Sequence, residues 1–191
     1  YNDALPEVAA DLAERGVAVV DDGALVLWVD GFDAPLIIRK SDGGYGYDTT
    51  DMAAIRHRAQ NLRADRIIYV TDVRQSQHFQ ALFAAARKAG YLPEDVAAQH
   101  VGYGMVLGPD GRPFKTRDGG TVSLTSLLDL AEQEAAPGIA LAAIKYADLS
   151  GAIHKDYVFD AERMVQTTGD TGPYLQYAHA RTCQILRRAE A

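Results

Sequence analysis

The chain has 191 residues, 48% of them hydrophobic and 24% charged, with a formal net charge of −7. That length allows one sizeable core or one domain with an appendage. The negative balance excludes a whole-surface basic footprint for nucleic acid, while leaving room for a local one. Cys183 is the only cysteine, which excludes an internal disulfide and a zinc–cysteine cluster and makes a reducing, cytoplasmic setting the expectation. No apolar run approaches the roughly 20 residues of a membrane span, so no membrane partner is expected. The opening "YNDALPEVAADLAERG" is acidic and amphipathic, unlike a secretory signal, and lacks an initial Met, so a piece of a longer protein is expected.

In chain order, residues 4–15 predict a helix, with Leu5, Val8 and Leu12 at helical spacing and Gly16 as a stop. "ALVLWVD" and "PLIIRK" read as strands bounded by turns at Asp21-Asp22-Gly23 and Asp42-Gly43-Gly44. Thr49 or Thr50 is positioned to cap a helix running to about Leu62, with Met52, Ile55, Ala59 and Leu62 as its apolar stripe. "RIIYVT" is a short continuous apolar run of the kind that suits a strand buried on both faces. "SQHFQALFAAARKAG" follows as a helix closed by Gly90, and "AQHVGYGMVLG" as a further strand. This alternation predicts an α/β fold with a Rossmann-like, doubly wound parallel sheet. From residue 121 onward the character is helical, in "SLTSLLDLAEQEA", "PGIALAAIKYADLS", "DAERMVQ" and "GPYLQYAHARTCQILRRA", with Pro173 suited to the first turn of the last.

Ligands in such sheets sit beyond the carboxyl ends of the strands, and three stretches fall there. In "GGYGYDTTD", Tyr47 and Asp51 lie four apart and share a face if the turn is helical. A carboxylate beside a phenol suits a guanidinium or an amine; the ordinary alternative is an Asp in the first turn of a helix, favoured by the dipole. In "TDVRQSQHF", Gln75 and His78 are three apart at a helix start, where Gln75 suits a polar head group and His78 an anion or ribose. The alternative is a polar first turn. In "GRPFKTRDGGTV", Lys115 and Arg117 project to one side if the loop is extended. Such a pair suits a polyphosphate and the charge that grows on it in a transition state, against the alternative of a solvated turn. No P-loop is present, and "GYGMVLG" is not a dinucleotide fingerprint. His57, His100, His154 and His179 show no paired metal spacing, so no protein-ligated metal is assigned.

Taken together, "DGGYGYDTTDMA", "DVRQSQHF", "MVLGPDGRPFKTRDGGTV", "IKYADLS" and "TGPYLQYAHAR" resemble, in this order, the arginyl-tRNA synthetases, a class I aminoacyl-tRNA synthetase family. The resemblance implies activation of L-arginine with ATP to arginyl-adenylate and transfer of arginine to tRNA. By that likeness Tyr47 and Asp51 hold the guanidinium and Gln75 the backbone end of arginine. His78 lies near the adenylate. Tyr103, Gly104, Met105 and Val106 line the adenine, with Phe114 and Lys115 beside the ATP. "FKTRDGG" takes the place of the Lys-Met-Ser-Lys-Ser loop without its Met-Ser-Lys triplet, so Lys115 and Arg117 are both candidates for the catalytic phosphate contact. Mg²⁺ arrives with ATP, held by the phosphates. Arg181, Arg187 and Arg188 are candidates for tRNA contacts, with a solvated helix face as the alternative.

The same resemblance divides the chain. Residues 1–120 correspond to the second half of the catalytic domain, 121–168 to a helical connecting segment, and 169–191 to the start of the helical anticodon-binding domain. The family's His-Ile-Gly-His motif is absent from this sequence, as are its N-terminal additional domain and most of the anticodon-binding domain. The reading is therefore a fragment of a monomeric arginine–tRNA ligase, not competent alone. The alternative is a stand-alone, non-catalytic paralogue that binds arginine, a nucleotide or tRNA.

Overall fold

A computed structural model describes residues 1–113 and 122–190. Lys115, Arg117 and Phe114 lie outside the described residues. The chain forms two compact units, Tyr1–Gly102 and Tyr103–Ala191.

The first unit opens with helix α1 (Leu5–Glu14), which buries Leu5, Val8, Ala9 and Leu12, one stripe at helical spacing. Strands β1 (Val19–Asp21), β2 (Ala24–Leu27) and β3 (Leu36–Arg39) then form a three-stranded sheet. It is antiparallel, with Val20 opposite Leu25 and Leu27 opposite Leu36. The parallel order expected from the sequence does not extend to these three strands. The reason is local: the Asp21-Asp22-Gly23 turn reverses the chain within a few residues, and so short a link joins only antiparallel strands.

Helix α2 (Tyr47–Arg56) follows, then a π-helical turn over His57–Asn61. Strand β4 (Arg66–Asp72) leads through a short turn, Val73–Gln75, into helix α3 (Ser76–Lys88). Strand β5 (Ala97–Tyr103) pairs with β4. The apolar run of β4 is not buried on both faces in this chain. Ile67 and Tyr69 are buried, while Ile68 and Val70 are about half exposed, the alternation of a sheet covered on one side. Leu12, Leu27, Ile38, Met52, Ile55, Leu82 and Leu92 are fully buried, and each contributes about 1.5–3 kcal/mol relative to exposure.

The second unit pairs β6 (Val106–Leu107) in parallel with β7 (Tyr157–Val158). Helices α4 (Leu124–Glu134), α5 (Pro137–Ser150), α6 (Ala161–Met164) and α7 (Gly172–Ala189) complete it. The start of α4 is fixed by Ser123, whose hydroxyl accepts from the Ser126 N–H; that of α7 is fixed by Thr171, which accepts from the Tyr174 N–H. Pro137 and Pro173 sit in the first turns of their helices. Leu127, Ala131, Ala140, Ile144 and Phe159 form a separate small core. Helix α7 begins against α5 so closely that a Cβ on Gly172 would lie 2.2 Å from the Ala142 carbonyl oxygen; only glycine fits there.

Candidate functional site

The strongest cluster of chemistry in the first unit lies where α2 and α3 begin. The start of α2 is tied to β3 by its own sequence. The Asp48 carboxylate accepts from the Ile37 N–H at 2.8 Å. Thr49, fully buried, donates its hydroxyl to the Ile38 carbonyl, and the Thr50 hydroxyl donates to the Gly46 carbonyl at 3.2 Å. "YDTT" is thus a connector that anchors a helix to a strand edge. The sequence does not single out Asp48, and it offers Thr49 or Thr50 as a helix cap; the helix instead starts at Tyr47, with Thr49 inside its first turn bonded to β3.

With α2 so anchored, Asp51 faces α3. Its Oδ2 meets His78 Nε2 at 2.9 Å, and His78 Nδ1 lies 3.5 Å from Asp48 Oδ1. The imidazole is flanked by two carboxylates. The hydrogen bond with Asp51 pushes the His78 pKa above its ordinary value; burial opposes this, and the charges of Asp51 and Asp48 reinforce it. Among the described residues, Oδ1 of Asp51 accepts no hydrogen bond, and the side chain is 27% exposed. Tyr47, on the same helix, is 88% exposed. Gln75 is exposed at the end of the turn before α3. That turn is stiffened by Asp72, which accepts from the Arg74 N–H and forms a two-point pair with its guanidinium. The pair draws the Asp72 carboxyl down to about 2. The structure therefore brings Asp51 and His78 together and leaves Tyr47 and Gln75 in solvent.

Behind His78 the rings of Phe79 and His100 stack at 4.7 Å, and Phe79 also packs on Tyr69 at 4.7 Å. His100 bonds Thr71 across the β4–β5 pair at 2.9 Å. Burial pushes the Tyr69 phenol up to about 12, with the nearby Arg58 opposing.

In the second unit, the segment Tyr103–Val106 is held by a crossing strand. Gly104 donates to the Ile153 carbonyl at 2.9 Å, and Met105 donates to Asp156 Oδ1 at 2.6 Å. The Tyr157 N–H bonds the Met105 carbonyl, and the Phe159 N–H bonds that of Leu107. Because alternate residues bond in a parallel ladder, Val106 directs its own N–H and C=O away from β7. Tyr103 is 45% exposed. Asp156 had no signal in the sequence; its role depends on two segments about fifty residues apart. On α7, Arg181, Arg187 and Arg188 are exposed, and Arg181 donates to the Tyr177 hydroxyl at 3.1 Å. Among the described residues no group of His, Cys, Asp or Glu is arranged to hold a metal, and no helix is long and apolar enough to cross a membrane.

Comparison with known proteins places this geometry. The family described as tRNA synthetases class I (R), catalytic domain, matches residues 1–137. The chain belongs to this family. An arginine–tRNA ligase of Cutibacterium acnes is 73% identical over 191 residues, covering 100% of this chain and 34% of that protein. The crystal structure of arginyl-tRNA synthetase from Plasmodium falciparum superposes with a TM-score of 0.84 at 30% identity, over 98% of this chain and 34% of that one. The Thermus thermophilus arginyl-tRNA synthetase gives 0.79 at 28% identity, over 98% of this chain and 40% of that one. The chain thus spans about a third of the length of the relatives it matches, and its mixed α/β fold is that of the corresponding part of these synthetases.

Proposed function

We propose that this chain is part of an arginine–tRNA ligase, which joins L-arginine to tRNA through an arginyl-adenylate made from ATP. The 73% identity to a relative of that name along the whole chain carries the reading, and the partly exposed Asp51 carboxylate fits it. In this proposal residues 1–120 belong to the catalytic domain, 121–168 to a connecting segment and 169–191 to the anticodon-binding domain.

The roles follow from chemistry. Asp51 takes the guanidinium, with Tyr47 closing over it from the preceding turn of α2. A charge-assisted bond of this kind contributes about 1.5–3 kcal/mol. The pocket also rejects amino acids without a cation, because the carboxylate is then left unpaired. Gln75 takes the amino-acid end. The Tyr103 ring and the backbone groups of Val106 that point away from β7 suit the adenine, since the N–H groups of Gly104 and Met105 are already engaged. Lys115 or Arg117 contacts the phosphates, beside Phe114, and magnesium comes with the ATP. Arg181, Arg187 and Arg188 suit tRNA phosphates, in a cytoplasmic enzyme.

Arginine-dependent ATP–pyrophosphate exchange by the full-length protein is the test. Asp51→Asn is expected to weaken arginine use at least tenfold, from the energy above. Unchanged arginine kinetics would remove Asp51 from the pocket.

A further inference from the structure

We propose that His78 is a positioning residue of the cation pocket: clamped between Asp48 and Asp51, it holds the Asp51 carboxylate by one oxygen, presents the other to the bound guanidinium, and couples arginine binding to release of a proton. The inference rests on the assignment of Asp51 to arginine and deepens it.

The geometry carries the argument. A carboxylate on a helix rotates about its side-chain torsions, and a rotating acceptor binds a planar fork poorly. Here Oδ2 of Asp51 is fixed at 2.9 Å by His78 Nε2, which leaves Oδ1 for a ligand. His78 in turn is fixed from several sides. Its ring meets the edge of Phe79 at 5.1 Å, and its Nδ1 faces Asp48. Asp48 is itself held by the Ile37 N–H of β3. The chain of contacts thus runs from a strand backbone to the carboxylate that meets the ligand.

The protonation follows from the same contacts. A neutral imidazole has one N–H and one lone pair. With a carboxylate facing each nitrogen, the lone pair of the neutral form would meet negative charge, so the imidazolium is the better fit in the arginine-free chain. A guanidinium arriving on Oδ1 places a second cation beside that imidazolium. Two cations on one carboxylate repel, so arginine binding drives the His78 proton off. The other titratable or charged groups around the cluster do not supply this coupling. His100 lies beyond the Phe79 ring and is bonded to Thr71; Tyr69 keeps its proton through the neutral range; the Arg58 guanidinium lies over the Tyr69 ring at 5.0 Å.

The test measures arginine affinity of the full-length protein by titration calorimetry between pH 5.5 and 8.5, in buffers of different ionisation enthalpy. The wild-type protein is expected to bind arginine several-fold tighter at high pH and to release a proton to buffer at the low end. His78→Gln keeps a donor for Asp51 and cannot charge, so it should bind with a flat pH profile near the high-pH affinity. His78→Ala should bind weakly at every pH. Folding of each variant is checked by its urea unfolding transition, and ATP affinity is measured beside it. A pH profile that survives in His78→Gln overturns the proton coupling, and wild-type affinity in His78→Ala overturns the positioning. ATP affinity lost with arginine affinity retained would place His78 with the nucleotide and overturn both. Asp51→Asn separates the proposal from its premise. If that variant keeps arginine affinity, the pocket assignment falls and this inference with it. If it loses affinity while the His78 variants do not, only the role of His78 falls.

Discussion

A methyl group at residue 104 tests the packing of the second unit and, with it, the proposed assignment of residues 103–106 to the adenine. In Gly104→Ala the new Cβ would lie 2.2 Å from the Lys155 carbonyl carbon, 2.3 Å from its oxygen and 2.6 Å from the Asp156 N. All three are backbone atoms, so no side chain can turn aside. One of the two crossing segments must move by roughly an ångström to reach ordinary contact. Overpacking of this kind costs about 1–3 kcal/mol. The bonds at risk are those that fix the segment: Gly104 N–H to Ile153, Met105 N–H to Asp156 and Tyr157 N–H to Met105. If Tyr103 and Val106 face the adenine, the same displacement misaligns them, and a loss of about 1.4 kcal/mol raises the KM for ATP tenfold. The arginine-binding residues proposed above lie in the first unit, so the arginine KM should change little. Urea denaturation and ATP–pyrophosphate exchange of the full-length variant provide the two readings. Reduced stability with an unchanged ATP KM would detach residues 103–106 from the adenine. Wild-type values for both would refute the close approach itself.

Two further outcomes follow from the first unit. Thr49→Val keeps the shape but removes the buried hydroxyl that donates to Ile38, and should lower unfolding free energy by about 1–3 kcal/mol; a change below about 0.5 kcal/mol, typical of surface sites, would show that the staple contributes nothing. The folded pKa of His78 is raised, so its pairing with Asp51 adds stability that is complete below the unfolded value of about 6.5 and fades as pH rises through the folded value. The Tm difference between the wild-type protein and His78→Gln should therefore shrink between pH 5.5 and 8.5, and a constant difference would refute the pairing.

The helices were readable because their apolar residues recur at helical spacing and their start and stop signals are local, as with Leu5, Val8 and Leu12 in α1 or Pro173 in α7. The strands were located more loosely. "ALVLWVD" reads as one strand, yet β2 ends at Leu27, because ladder pairing with β1 and β3 sets the limit and not β propensity. "AQHVGYGMVLG" reads as one strand too, but it breaks at Gly104, where the segment around Lys155 crosses. No local pattern announces a contact with a segment so distant. The same holds for β7, two residues that pair only because β6 is there. At the site, residue types at fixed spacing nominated Asp51, Gln75 and His78, but spacing carries no information on which partner a side chain meets. The position of His78 at the start of its helix suits an anion or ribose, and nothing in its spacing announces the two carboxylates of another helix that flank it.

The register of α2 bears on what Asp51 is for. A helix starting at Thr49 or Thr50 would place Asp51 in the first turn, where the dipole alone accounts for a carboxylate. The helix begins at Tyr47, and the acidic residue in its first turn is Asp48. Asp48 also accepts a backbone N–H of β3, so it has a full structural reason to be there. Asp51 is one turn further along, where the dipole has faded, and it bonds no backbone group among the described residues. Its protein partner is a histidine that another carboxylate also holds. Its pairing with His78 adds stability only while that imidazole is charged, and the dipole adds none at this position. The proposed guanidinium contact would give Asp51 the role that the dipole does not. The early helix start thus removes the ordinary explanation for Asp51 and strengthens its assignment to the guanidinium.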